Sequence, residues 1–209
     1  MQVFIPYKDY EQSLASLDSQ RLNKQALETT QLLDIMFDLP TKTGKERTGW
    51  LSHPALLAWK QNPGALIEYL VCNIKELENR NMSPENYLEK LKIYRKFTTN
   101  TDAPIWLGDE RIHSSHRVRL LQKGWETKYA GLLLEDTKKR NTKLNTAEKI
   151  ITWYQSLGWD EMNCKDFFKR EYQWPTNIKS DSYSLKECVS PSNKKLKQEL
   201  IKYFGNNPY

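Results

Sequence analysis

Apolar residues at helical spacing constrain the fold of this chain more than any other feature. Leu66, Tyr69, Leu70, Ile74 and Leu77 fall three and four positions apart, which puts them on one face of a helix. The same spacing returns at Leu22, Ala26, Leu33 and Met36, and again at Tyr87, Leu88, Leu91 and Tyr94. Start signals precede each run. Ser16 and Asp18 are N-cap residue types, Pro63 suits a first helical turn, and Ser83-Pro84-Glu85 combines both features. The first helix is predicted to reach about Phe37. Ser52-His53-Pro54 starts a short helix that stops near Asn62, and Asp109 caps one running to about Lys123. Further helices are expected at about 146–158, 164–171 and 193–204. MQVFIPY at the start and Tyr172-Gln-Trp-Pro175 read as extended, because a proline disfavours helix at the residue before it. Residues 38–49, 98–108 and 132–145 read as connections. The expected fold class is therefore all-α, a compact helical bundle with irregular links.

Size and composition narrow the class further. At 209 residues the chain suits one domain, or one domain with an appendage. Seven tryptophans and 11% aromatics argue against disorder. No apolar run approaches the ~20 residues of a membrane span, and the first ten residues lack the pattern of a signal peptide. Cys72, Cys164 and Cys188 are odd in number and far apart, which fits neither a disulfide framework nor a zinc knuckle. A reducing compartment is expected, cytoplasm or nucleus. The net charge of +6 is compatible with a polyanionic partner without naming one.

Chemistry concentrates on the first predicted helix. Arg21, Lys24, Glu28 and Gln31 are spaced by three, four and three, so they form one stripe. On spacing alone this is a solvated face with i,i+4 Lys–Glu pairing. Among the histidines, His113 and His116 share a helix face and His53 stands apart. They can serve as structural hydrogen-bonded groups, as zinc ligands, or as phosphate contacts beside Arg117, Arg119 and Lys123. Trp50, Trp106 and Trp174 can be core residues or platforms for a stacked base.

The segment LDSQRLNKQALETTQLL resembles the first helix of the phage endonuclease V family of pyrimidine-dimer DNA glycosylases. The resemblance continues through His53 in LSHPALLAW and through Pro104, Ile112, Ser115 and Arg117 in PIWLGDERIHSSHRVRLL. It ends at Trp125-Glu-Thr-Lys-Tyr129-Ala-Gly131, an aromatic segment like that family's tail. It thus spans about residues 1–131, leaving 132–209 as a helical extension. The opening Met-Gln-x-Phe and the Tyr-x-Trp-Pro of Tyr172–Pro175 are similar to an uncharacterised bacterial and viral branch.

The resemblance implies a DNA glycosylase, with or without an AP-lyase step, that acts on lesion-bearing double-stranded DNA and needs no cofactor; a monomer is expected. An amine attacks C1′ of the damaged nucleotide, and Glu28 falls on the family's catalytic carboxylate. An α-amine titrates near ~7.7–8.0, so it is substantially neutral at cellular pH, whereas lysine near ~10.4 is not. The family's nucleophile is a threonine exposed by loss of the initiator methionine. Here position 2 is Gln, which should block that removal and leave the amine on Met1. Two family arginines are replaced by Leu27 and Gln31, and Arg21 and Lys24 could supply charge from the same stripe. Lys24 is the second candidate nucleophile. DNA contacts are expected from His53, Trp106, His113, His116, Arg117, Arg119, Lys123 and Trp174. The alternatives are a DNA-binding module without chemistry and a metal-dependent nuclease built on the three histidines.

Overall fold

In the computed structural model, residues 2–41, 44, 51–98, 101–159, 170–187, 196 and 198–203 are described. An extended arm leads into α1 (Tyr10–Ala15), α2 (Ser19–Met36), α3 (Pro54–Trp59), α4 (Pro63–Asn79) and α5 (Glu85–Tyr94). α6 (Glu110–Leu132) and α7 (Thr137–Ser156) follow, then β1 (Gln173–Thr176) and β2 (Ser184–Glu187), which pair as a two-stranded sheet. Residues 198–203 are again helical. The protein is mostly helical, as the apolar spacing requires. It divides into two compact units, one of residues 1–110 with 174–186, the other of 111–173 with 187–209. The sequence reading places its boundary at 131 instead.

In the first unit α4 is the central helix, packing against α1, α2, α3 and α5. Leu22, Ala26, Leu32 and Leu33 of α2 and Leu66, Leu70 and Leu77 of α4 are all buried. Trp59 meets Trp106 edge to face, with ring centroids 5.0 Å apart. Asp34 joins α2 to α5. It is buried and accepts from Lys90 Nζ at 2.7 and 2.9 Å and from the Tyr94 hydroxyl at 2.7 Å. Asp18 caps α2 by accepting the Arg21 N–H at 3.2 Å, as its residue type suggests. α1 carries no long apolar period and was not expected. Asp9 starts it by capping Gln12 N–H, and the Ser13 hydroxyl turns the arm into it by bonding both backbone groups of Tyr7.

The second unit departs more from expectation. α6 runs to Leu132 instead of Lys123, because Gly124 does not end it. A Cβ at Gly124 would stand 2.8 Å from Ile151 Cγ1 and 3.1 Å from Ile150 Cγ2, so this glycine permits a close approach of α7. α7 begins at Thr137, not 146. Asp136 caps it through the Lys139 N–H at 3.0 Å, and nothing in the hydrophilic stretch behind that cap breaks a helix. Of the helix expected at 164–171, residues 164–169 lie outside the described residues, and 170–171 are not helical. The extended reading of Tyr172–Pro175 falls largely on β1, whereas β2 had no signal in the sequence.

The contact at Gly124 yields a direct test. Gly124→Ala should destabilise the protein by up to about 2 kcal/mol, the usual overpacking cost of about 1–3 kcal/mol less the roughly 1 kcal/mol by which alanine is favoured over glycine inside a helix. Urea denaturation would measure it. A midpoint raised by the full gain of about 1 kcal/mol that alanine brings to an uncrowded helix interior would mean that α6 and α7 do not meet at this glycine.

Candidate active site

The arm is held to α2 through its backbone. Gln25, buried in the middle of α2, accepts the Phe4 N–H on Oε1 at 2.7 Å and donates from Nε2 to the Gln2 carbonyl at 3.0 Å. The Tyr69 hydroxyl donates to the Phe4 carbonyl at 2.8 Å. Burial, and then the negative charge of Glu28, push the Tyr69 phenol well above its ordinary range, so it stays a donor. Val3, Phe4 and Ile5 are all buried. One turn beyond Gln25, Glu28 Oε2 accepts the Gln2 N–H at 2.8 Å. The start of the chain is therefore held against a carboxylate.

Glu28 is only 8% exposed. Its other oxygen lies 3.7 Å from Lys24 Nζ, the i,i+4 pair that the spacing anticipated. Lys24 is exposed, so that pair contributes little to stability. Arg21 forms an ion pair with Asp18 at 2.8 Å, and its Nε is buried without a hydrogen-bond partner among the described residues. Met1 lies outside the described residues. His53 is the N-cap of α3, its Nδ1 accepting the Ala55 N–H at 3.2 Å. Burial, with the positive amino terminus second, brings the imidazole down to about 4. His53 is thus neutral at physiological pH, with its proton on Nε2.

Several residues expected at a DNA surface are placed in the interior instead. Trp106 is fully buried and donates from Nε1 to the Ala58 carbonyl at 2.9 Å, which makes it a core residue. Trp174 is also buried, and Trp50 lies outside the described residues. In the second unit His113 and His116 are buried, as is Arg119 at 6% exposure. Arg119 is committed to Glu126 at 2.6 Å and to Gln122 at 3.3 Å. His116 Nε2 donates to the Gln173 carbonyl at 3.3 Å, and Tyr172 meets its ring edge to face. The Gln173 N–H donates in turn to the Ser115 hydroxyl at 2.8 Å. These groups fasten residues 170–173 to α6. Only Arg117 and Lys123 of the expected set on this helix are partly exposed. Among the described residues no three of His, Cys, Asp and Glu are grouped as metal ligands.

Gln25, Tyr69 and the partner roles of Gln122 and Glu126 escaped the sequence reading. Gln25 did leave a signal: a polar residue at the edge of the apolar face, beside Leu22 and Ala26, that a purely solvated stripe would not need. Gln122 and Glu126 fall three and seven positions beyond Arg119, on the same side of the helix, so their spacing marked them as partners.

Two comparisons with known proteins found no match, neither a curated protein nor a solved structure. The third did. The family model of pyrimidine dimer DNA glycosylases matches residues 1–90, the segment that contains the arm, Glu28 and His53.

The buried histidine predicts a pH dependence of stability. Burial is the main cause that brings His116 down to about 3; the charges of His113 and Arg117 add to it, and the Gln173 carbonyl opposes it. Between the ordinary 6.5 and that value the unfolded chain binds the proton and the folded chain does not, so stability falls as pH falls. From pH 7 to pH 5 this should remove about 2 kcal/mol, at about 1.4 kcal/mol per pH unit below 6.5. Urea midpoints at the two pH values would measure it, and His116→Gln should lessen the difference, leaving the part that the likewise lowered His53 contributes. An equally steep loss in the variant would remove His116 as its source.

Proposed function

We propose that this chain, whose residues 1–90 match the family model of pyrimidine dimer DNA glycosylases, is a DNA glycosylase that excises a damaged or modified base from double-stranded DNA with a terminal amine and Glu28. One observation carries the reading: the backbone nitrogen of residue 2 lies 2.8 Å from Glu28 Oε2. In the resembling family that nitrogen is the nucleophile. In this chain Gln2 follows Met1, so the nitrogen is an amide, and the α-amine lies one residue further out, within about 3.8 Å along the covalent chain. The arm's backbone hydrogen bonds hold the nitrogen of residue 2, to which Met1 is joined, at the carboxylate.

In the proposed reaction the amine lone pair forms a bond to C1′ as the glycosidic bond breaks. The base departs with the bonding electrons and takes up a proton. Glu28 stabilises the positive charge that develops on the sugar and accepts the proton released by the attacking amine. Opening of the sugar ring then gives a Schiff base. Loss of a C2′ proton from it expels the 3′ phosphate, which is the lyase step. Neutral His53, at the head of α3, is the proposed donor to a sugar or phosphate oxygen. Arg21, Arg117 and Lys123 are the proposed phosphate contacts. Extruding the nucleotide costs a few kcal/mol, least where pairing is already damaged. We assign the core of this activity to residues 1–131, acting as a monomer.

Glu28→Gln preserves size and an acceptor for the Gln2 N–H. It should leave folding and DNA binding intact while lowering base release at least about 10²-fold, which a gel assay on a lesion-bearing duplex would read. Wild-type release from this variant would overturn the role of Glu28. Borohydride should trap a covalent adduct with abasic DNA, and peptide mapping should locate it at Met1. An adduct at Gln2 would mean that the methionine is removed; one at Lys24 would overturn the terminal mechanism. Binding without release or trapping would favour the DNA-binding module instead.

A further inference from the structure

The cations expected to meet DNA from α6 are partly interior, whereas an unassigned group stands exposed on α7. Residues 137–149 contain Lys138, Lys139, Arg140, Lys143 and Lys149 against one acid, Glu148, a net +4 beside the whole chain's +6. All of these but Arg140, which is partly buried, are exposed. The apolar residues Ala147, Ile150, Ile151 and Tyr154 face inward. The opposite stripe runs Lys138, Thr142, Asn145, Lys149, Thr152 and Ser156, spaced by four and three. It is a polar row in which Lys138, Asn145 and Lys149 carry N–H donors, while the Thr142 and Ser156 hydroxyls donate to the helix's own carbonyls; Lys139 and the part-exposed Trp153 stand beside it. A shallow groove of about 490 Å³ follows the stripe's C-terminal half, lined by Asn145, Glu148, Lys149, Thr152, Trp153 and Ser156, so Lys149 shares it with one carboxylate.

Helix stability does not account for this placement. Lys138, Lys139 and Arg140 occupy the first turn of α7, where the helix dipole disfavours positive charge by about 0.3–1 kcal/mol each. Lys139 has one exposed ion pair, with Asp136 at 3.5 Å, and Lys138 and Lys149 have none among the described residues. A polyanion would offset this repulsion. Lys138 and Lys149 are eleven residues apart, about 16 Å along the helix, close to the axial length of five base pairs at about 3.4 Å per step.

We propose that this face of α7 is a second DNA-binding surface, which takes the phosphate backbone without reading sequence. The inference rests on the reading of the chain as a DNA glycosylase, but it concerns residues beyond the matched 1–90 and its test does not require catalysis. The full chain would be titrated by fluorescence anisotropy with an undamaged duplex over a range of salt concentrations. Replacing Lys138, Lys139 and Lys149 together by Gln should lower the slope of log K against log salt by about 2–3, at about 0.9 per phosphate contact. The same three positions changed to Arg should keep the wild-type slope. If the Gln triple unfolds on heating below the wild type, single Lys138→Gln and Lys149→Gln variants, each worth about 0.9 of slope, decide the matter. An unchanged slope in folded Gln variants would overturn the proposal. A lowered slope in a chain that releases no base would support this surface while sinking only the glycosylase reading. Base release at saturating DNA should be the same in the Gln triple as in the wild type.

Discussion

Gln25 places both ends of its amide on one extended backbone: Oε1 accepts from Phe4 N–H, and Nε2 donates to the carbonyl of Gln2. A side chain there plays the part that a neighbouring strand would play, and it does so in the interior of a helical unit. Each backbone group it satisfies would otherwise cost about 1–3 kcal/mol as a buried orphan. Tyr69 completes the set from α4, the helix against which the others in this unit pack. The register of the arm then fixes which atom meets Glu28. Sliding the arm by one residue would break all of these bonds at once. The geometry of the candidate site is thus a consequence of how the arm is fastened, and the fastening depends on the central packing of α2 against α4.

Because these contacts are to main-chain atoms, they do not depend on which side chain stands at position 2. This reconciles the departure at Gln2 with the match of residues 1–90 to the glycosylase family. The arm keeps its path whether a small or a large residue stands there. What changes with residue 2 is how the chain's first amine is generated.

Much of the helical layout was legible because its signals are local. The Asp18 cap, the prolines at Pro54 and Pro63 and the apolar periods behind them mark α2, α3 and α4 directly. Glu28 was legible from its stripe and its resemblance, but its burial was not, since that depends on an arm more than twenty residues away. α6 was the harder case. Thirteen of its 23 residues are buried, including Arg119, His113 and His116, so its polar residues do not mark an outward face. A charged residue can be interior when its partners are on the same helix, as Glu126 and Gln122 are for Arg119. β2, and with it the pairing of the extended segment at β1, was illegible because a four-residue strand such as SLKE carries no period.

The aromatic packing gives each compact unit its own optical reporter. Trp59 and Trp106, edge to face at 5.0 Å and fully buried, belong to the first unit. Tyr154 and Trp159, stacked at 5.0 Å with nearly parallel rings, belong to the second. The two pairs differ in ring geometry and in chemical partner, so their near-ultraviolet dichroism should have different band shapes. With Trp106 replaced by phenylalanine, the signal lost would be the first unit's alone. Melting the two proteins side by side would then show whether the units unfold together or in turn.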